Sequence, residues 1–165
     1  MRALRPEVLI PGHGPVIFGA ARAGQVLDDG ATLLESLVGQ TLALMNRGCT
    51  LDEVLHGVSA PAGLLAKPYL RPKYDDPEFV VRAIWHLYGG WFDGNPAHLK
   101  PAPAPELAAE LAALAGGAER LAERAAALAE SGRTRLAAHL AEFAAGAAPD
   151  DRAIQAMRAM VLERC

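Results

Sequence analysis

The sequence predicts a mainly α-helical protein, and three observations support this prediction. Hydrophobic residues make up 52% of the chain but aromatic residues only 5%, so alanine and leucine must build most of the core, which favours closely packed helices over a β-sandwich. Apolar residues recur at three- and four-residue steps over residues 23–47, as on one face of a helix. Beyond Glu106 the chain is rich in Ala, Leu, Glu and Arg, all good helix formers.

The first twenty residues depart from the helical pattern. Residues 5–10 predict a short strand, and residues 11–20 predict a loop. The apolar run ends at Pro11-Gly12-His13-Gly14, a pattern typical of a strand that stops and presents one imidazole on a tight turn. His13 is therefore either a turn residue without a chemical role or a metal ligand, since neutral imidazole is the commonest ligand for metals near neutral pH.

A long helix is predicted over residues 23–47. Gly30 and Gly39 lie inside it, where each costs about 1 kcal/mol relative to alanine, and the close approach of another helix would explain both. Gly48 is well placed to end the helix. The apolar stripe consists of Leu27, Leu34, Leu37, Val38, Thr41, Leu44 and Met45.

A short helix and a proline-rich arm follow. Thr50 and Glu53 form a capping box that opens a helix ending near Gly57. Residues 59–74 contain three prolines, which predict an irregular, extended arm. Such an arm could be solvated, cover a partner subunit or line an anion site, and we favour packing against another surface. It carries two tyrosines and three basic residues, Tyr69, Tyr74, Lys67, Arg71 and Lys73.

A further helix is predicted from Asp75-Asp76-Pro77-Glu78 to about Tyr88, because Asp at the cap, Pro in the first turn and acidic groups at the positive end all favour a helix start. Gly89-Gly90 stops this helix, and two typical turn pairs, Asp93-Gly94 and Asn95-Pro96, then turn the chain.

The side chains of this segment have simple structural interpretations. Trp85, Tyr88, Trp91 and Phe92 are expected to be core or dimer-interface anchors. Asp93 and Asn95 are expected to cap turns and helix ends and to join these anchors, and substrate contact by Asn95 is the less favoured alternative. His86 and His98 have no acidic neighbours in sequence and are expected to be structural or exposed.

The second half predicts four helices of about a dozen residues, separated at Gly116-Gly117, Ser131-Gly132 and Ala148-Pro149-Asp150. Short loops between helices of similar length imply antiparallel neighbours. Small alanines would let these helices approach closely. The helix pairs resemble tetratricopeptide repeats, although the aromatic signature of those repeats is lacking.

Composition excludes several classes of function. A net charge of −3 provides no field that would attract nucleic acid or anionic lipid. No apolar run approaches the roughly 20 residues of a membrane span. Cys49 and Cys165 are far apart, which argues against a disulfide framework and is compatible with a reducing compartment. We therefore expect a cytoplasmic protein.

The chain offers one plausible metal ligand. The other four histidines are widely separated, and neither a His-x-His motif nor a Cys-x-x-Cys motif is present. A catalytic zinc usually needs at least three protein ligands. His13 could therefore contribute to a zinc site but not complete one.

Three stretches, at residues 6–14, 74–78 and 87–99, together resemble the C-terminal part of alkylsulfatase-like hydrolases of the metallo-β-lactamase superfamily. The specific part is Gly90-Trp91-Phe92-Asp93-Gly94-Asn95-Pro96-Ala97, which resembles the hallmark of the alkylsulfatase dimerisation domain. The resemblance implies two regions. Residues 1–22 would be the last strand and metal-ligand loop of a metallo-β-lactamase-like fold, and residues 23–165 a helical dimerisation domain, divided into residues 23–100 and 104–165.

The resemblance also implies a chemistry for the complete protein. His13 corresponds to a ligand of a dinuclear zinc centre, whose other ligands lie upstream in a His-x-His-x-Asp-His motif and later acidic residues. This sequence contains none of those, so the catalytic domain is expected to lie upstream and this chain alone to bind no zinc and to be inactive. The implied reaction is hydrolysis of sulfate or related esters by a zinc-activated water. Arg71 and Lys73 could approach a sulfate if the arm reaches a neighbouring active site.

Two functional hypotheses follow. The chain is the C-terminal dimerisation portion of an alkylsulfatase-like hydrolase, or it is a helical module that forms homodimers without catalysis. Both predict a homodimer. A complete small enzyme is disfavoured, because no acid–base or nucleophile couple occurs at a recognisable spacing.

Overall fold

A small antiparallel hairpin precedes the helices in the computed structural model, which describes residues 2–165. Strand β1 (Val8–Leu9) pairs with β2 (Ile17–Phe18), so that Val8 lies opposite Phe18. The predicted strand is thus confirmed in shortened form, whereas the prediction of an uninterrupted loop over residues 11–20 is wrong. Two residues are too few to show the alternation by which a strand is recognised.

Helix α1 (Ala20–Met45) is the long helix predicted from the apolar stripe, and it begins three residues earlier than expected. Its inner face buries Leu37 and Thr41. Gly48 ends the helix as predicted: it adopts φ +79°, a conformation that favours glycine, and its N–H donates to the carbonyl oxygen of Met45 at 2.9 Å.

The explanation proposed for the two glycines inside α1 is wrong within the described residues. A Cβ atom built on Gly30 or Gly39 would meet no atom within 4 Å, so no other helix of the described chain approaches closely there. Each glycine therefore destabilises the helix, because glycine loses more conformational entropy on folding than alanine does.

We therefore expect Gly39→Ala to stabilise the protein by about 0.5–1 kcal/mol, because alanine restricts the unfolded chain and favours the helix. Urea unfolding followed by circular dichroism measures this change. A loss of stability would contradict the prediction and would indicate that a second molecule occupies the space beside Gly39.

Helix α2 (Leu51–Gly57) begins at the predicted capping box. The Thr50 hydroxyl accepts from the Glu53 N–H at 3.3 Å, and the Glu53 carboxylate accepts from the Thr50 N–H at 2.7 Å. The hydrogen bond from the Thr50 N–H, followed by one that the Thr50 hydroxyl donates to the Glu53 carboxylate at 2.9 Å, lowers the pKa of Glu53. The arm that follows contains a one-turn helix, α3 (Ala62–Leu65), where an extended chain was predicted.

Helix α4 (Pro77–Gly89) confirms the predicted start and end. The Asp76 side chain accepts from the Glu78 N–H at 2.9 Å, and the helix ends at Gly90, which has φ +77°. The inner face of α4 packs on α1 and α2 and completes the core of the first unit, which consists of Leu37, Leu51, Val54, Val81, Ile84 and Trp85.

The described chain divides into two compact units, one ending at Leu99 and the other formed by Lys100–Cys165. The second unit contains the four predicted helices, α5 (Ala104–Ala115), α6 (Ala118–Glu130), α7 (Thr134–Ala147) and α8 (Arg152–Leu162). Its core is built mainly from alanine, with Ala125, Ala137, Ala141 and Ala144 fully buried.

Helices α7 and α8 run antiparallel, as expected from their short connection. The Arg158 Nε donates to Glu142 at 2.8 Å near the middle of the pair, and Cys165 at the end of the chain contacts the carbonyl oxygen of Thr134 at the start of α7. The mainly α fold class is confirmed, while the closer likeness to tetratricopeptide pairs and the domain boundaries at residues 22 and 23 stay predictions. No helix within residues 2–165 is both long and apolar enough to cross a lipid bilayer.

Candidate interaction face and histidine hairpin

The turn after α4 is built around Trp85 and two polar side chains. Trp85 is buried in the core, and its indole N–H donates to the carbonyl oxygen of Phe92 at 3.1 Å. The Asp93 carboxylate accepts from the Asn95 N–H at 2.9 Å, and the Asn95 side-chain oxygen accepts from the Ala97 N–H at 3.1 Å. These bonds lead the chain into the short 3₁₀ helix Pro96–Leu99.

Gly94 lets this turn lie directly on the start of α2. It adopts φ +93°, and a Cβ atom at this position would come within 2.8 Å of Thr50 Cγ2 and 3.2 Å of Thr50 Cα. The Leu51 N–H donates to the carbonyl oxygen of Asp93 at 2.9 Å in the same place. Glycine is therefore required both by backbone conformation and by close approach.

The structure brings together one pair that the sequence analysis missed. Asp93 Oδ2 lies 2.5 Å from His98 Nδ1, and His98 Nε2 lies 3.2 Å from Asn95 Nδ2. Two hydrogen bonds lower the pKa of Asp93: the larger effect comes from the bond with the Asn95 N–H, and the next from the bond with His98. Asp93 lies five residues before His98 in the sequence, and the turn folds back so that the two side chains are in contact.

Two other predicted anchors, unlike the buried Trp85, are exposed to solvent. Trp91 is 68% exposed and Tyr88 60%, and the Trp91 ring stands edge-on to that of Phe92 at a centroid distance of 5.9 Å. Phe79 and Leu87, which point away from the core of the first unit, are 59% and 77% exposed. We refer to Phe79, Leu87, Tyr88 and Trp91, the large apolar side chains exposed on α4 and directly after it, as the α4 apolar face; Phe79 and Tyr88 are nine residues apart and so lie on opposite sides of the helix. An exposed group of large apolar side chains is typical of an interaction surface.

The arm over residues 59–74 is held on α1. Lys67 Nζ lies 2.5 Å from Asp29 Oδ2, and the Tyr69 hydroxyl donates to the same oxygen at 2.6 Å. The hydrogen bond from Lys67, followed by that from Tyr69, lowers the pKa of Asp29, while the bond to Asp29 raises the pKa of Lys67. Packing against another surface, the favoured interpretation of the arm, is therefore observed.

His13 lies in the loop between β1 and β2, and the arm reaches it. The imidazole and the Tyr74 ring have centroids 5.7 Å apart and planes tilted by 48°. Arg71 and Lys73, just before Tyr74, are exposed. The metal role of His13 and the anion contacts of Arg71 and Lys73 stay predictions.

The donor groups do not fit a complete zinc centre. Within residues 2–165, no cluster of three or more His, Cys, Asp and Glu side chains is arranged to hold a metal ion. A zinc ion in a protein takes three or four side-chain ligands. His13 could thus supply one ligand of a site whose other ligands come from elsewhere.

The turn and the helices after it can be compared with known proteins. Residues 50–165 match the family model described as alkyl sulfatase dimerisation. The chain belongs to the alkyl sulfatase dimerisation family. The resemblance of the Gly-Trp-Phe-Asp-Gly-Asn-Pro-Ala stretch to this family is thereby confirmed.

Similar curated proteins are alkylsulfatases. A linear primary-alkylsulfatase of a Pseudomonas species is 33% identical over 165 residues, which are 99% of this chain and 31% of that protein. An (R)-specific secondary-alkylsulfatase of Pseudomonas is 32% identical over 97% of this chain and 24% of its own length. An alkyl/aryl-sulfatase of Saccharomyces cerevisiae is 30% identical over 121 residues. The chain spans less than a third of the length of the two Pseudomonas relatives.

Solved structures show the same relationship in three dimensions. A double mutant of the sec-alkyl sulfatase PisA1 superposes with a TM-score of 0.87 at 32% identity, over 96% of this chain and 25% of the other. The stereoselective inverting sec-alkylsulfatase Pisa1 from Pseudomonas gives 0.86 at 31% identity with the same coverage. The fold of an alkyl sulfatase dimerisation domain is therefore shown for this chain.

Proposed function

We propose that this chain is the C-terminal dimerisation portion of a zinc-dependent alkylsulfatase-like hydrolase and that it joins two copies of that protein. The observation that supports this most directly is the match of residues 50–165 to the alkyl sulfatase dimerisation family. The α4 apolar face supplies the surface, since it lies within the matched region and leaves four large side chains exposed.

Two copies would meet at this face about a two-fold axis, as in most homodimers. Trp91, Tyr88 and Phe79 are of the aromatic type that anchors protein interfaces. Arg82 and His86 are exposed on the same side of α4 as Phe79, three and seven residues further along, and would supply polar contacts within the interface.

The chemistry of the complete protein would be hydrolysis of sulfate or related esters, for which bound zinc would supply an activated water. His13 would be one ligand of the zinc centre, and Arg71 and Lys73 are candidates for contact with the sulfate charge. Because the described residues supply one ligand only, no hydrolytic step is assigned to this chain.

The alternative is a helical homodimerisation module that functions without catalysis. Both proposals are compatible with the lack of a metal-binding cluster within the described residues, because the hydrolase would hold its other zinc ligands upstream. The two proposals are distinguished by the DNA immediately upstream of the codon for Met1. An in-frame segment encoding His-x-His-x-Asp-His supports the hydrolase, and an upstream region without such a segment supports the module.

We expect the purified chain to be a homodimer of 17.4 kDa subunits, mostly helical, without stoichiometric zinc and without sulfatase activity. Light scattering measures the mass, and elemental analysis after dialysis measures the zinc. A monomer over the micromolar range would contradict the dimerisation proposal. One or two zinc ions per chain would contradict the assignment of a single ligand. The cytoplasmic location stays a prediction.

A further inference from the structure

Asp29 connects two segments that are distant in sequence. Its Oδ2 oxygen accepts hydrogen bonds from both Lys67 Nζ and the Tyr69 hydroxyl, which lie 38 and 40 residues further along the chain. The side chains of Lys67 and Asp29 are only 31% and 18% exposed, so the contact is partly shielded from solvent. Lys67 and Tyr69 are separated by one residue and both donate to this oxygen. The two bonds together fix the direction of the arm as well as its point of attachment.

The segment of the arm between this attachment and His13 is short. Four residues lie between Tyr69 and Tyr74, so their Cα atoms are at most about 18 Å apart, and Pro72 restricts the backbone between them. At the end of this segment, the Tyr74 ring contacts the imidazole of His13. Tyr74 is 79% exposed, so the ring is held mainly by the chain that carries it, and the attachment at Asp29 is one end of that chain.

We propose that Asp29 is a positioning residue: by holding Lys67 and Tyr69, it keeps Tyr74 against His13 and thereby sets the orientation of the imidazole. This inference deepens the proposed function, because His13 is the residue that the proposal assigns to the zinc centre. A ligand must be held in a fixed orientation to bind its metal well, and supporting contacts of this kind act through the ligand.

A competing anchor is present at the start of α4. Tyr74 lies two residues before Asp76, which caps that helix, so the cap alone could hold the ring in place. The experiment must separate these two anchors.

The test is nuclear magnetic resonance of the histidine side chains in the zinc-free, full 165-residue chain at one fixed pH. Tyr74→Leu removes the ring and defines the full change in the His13 imidazole signals. Asp29→Asn is expected to shift the same signals in the same direction by at least half of that change. It should also raise amide hydrogen exchange at Lys67 and Leu70, whose N–H groups are hydrogen-bonded, at least about tenfold, since the attachment of the arm loses its charge.

Tyr69→Phe keeps the ring and removes only one donor to Asp29, so a smaller shift in the same direction is expected even if Asp29→Asn alters the fold. Asp150→Asn, an exposed carboxylate of the second unit, is the matched control and should leave His13 unchanged. The signals of the other four histidines report any general disturbance.

Two results would overturn the proposal. If Tyr74→Leu moves the His13 signals but Asp29→Asn and Tyr69→Phe do not, the cap of α4 positions the ring. If Tyr74→Leu leaves His13 unchanged, the ring contact does not orient the imidazole. The measurement uses zinc-free protein and observes His13 alone, so a negative result does not contradict the dimer proposal. Conversely, a monomeric chain would contradict the dimer proposal but not the positioning role of Asp29.

Discussion

Leu87→Glu will raise the dissociation constant of the proposed dimer at least about a hundredfold. Leu87 is 77% exposed, so glutamate costs the isolated subunit little, whereas in the dimer each of two copies loses a buried leucine. Burial of one leucine is worth about 1.5–3 kcal/mol, and two-fold symmetry counts that loss twice. Each tenfold change in affinity corresponds to about 1.4 kcal/mol. Unpaired carboxylates inside the interface add to the loss.

A matched substitution in the second unit locates the interface. Leu114 on α5 is 84% exposed, and Leu114→Glu makes the same chemical change at a similar degree of exposure. Sedimentation velocity over a concentration series should find Leu87→Glu monomeric and Leu114→Glu as dimeric as the parent chain. If only the Leu114→Glu protein is monomeric, the interface lies on the helices after Lys100. That result would refute the proposal that the α4 apolar face forms the interface.

The elements that the sequence predicted correctly depend on signals within a few residues. The capping box at Thr50 and Glu53 and the Asp76-Pro77 helix start satisfy backbone groups of their own first turn, so the residue types alone reveal them. Gly48 and Gly90 end their helices with a positive φ for the same local reason. The four helices of the second unit follow from composition and from the breaks between them.

The features that the sequence did not predict depend on contacts between distant residues or on very short elements. Lys67 and Tyr69 meet Asp29 across about forty residues, and no periodicity marks such a partner. The contact of Asp93 with His98 depends on how tightly the intervening turn folds. The helix Ala62–Leu65 and the strand Ile17–Phe18 are too short to produce a repeating pattern. Family resemblance identified the dimerisation domain, but the zinc ligand role of His13 stays a prediction.

Gly94→Ala is expected to destabilise the first unit by about 2–6 kcal/mol. A left-handed backbone conformation costs a residue with a Cβ atom about 1–3 kcal/mol, and forcing extra atoms into a closely packed contact typically costs about 1–3 kcal/mol more. Both apply here, since Gly94 has φ +93° and its added Cβ would lie 2.8 Å from Thr50 Cγ2. Thr50 also caps α2, so moving it away would weaken the capping box. Urea unfolding followed by tryptophan fluorescence measures the change, because Trp85 donates to Phe92 in the same turn.

Two further variants separate strain from collision. Gly90 has φ +77° and ψ −152°, a conformation nearly confined to glycine, but a Cβ atom there would meet nothing within 4 Å, so Gly90→Ala measures the backbone cost alone, expected at about 1–3 kcal/mol. Thr50→Ser removes the nearest methyl group and keeps the capping hydroxyl. Combined with Gly94→Ala, it should therefore recover part of the lost stability, which a double-mutant cycle measures as coupling between the two sites. Equal losses for Gly94→Ala and Gly90→Ala, with no coupling to Thr50, would show that the turn does not depend on its close contact with the start of α2.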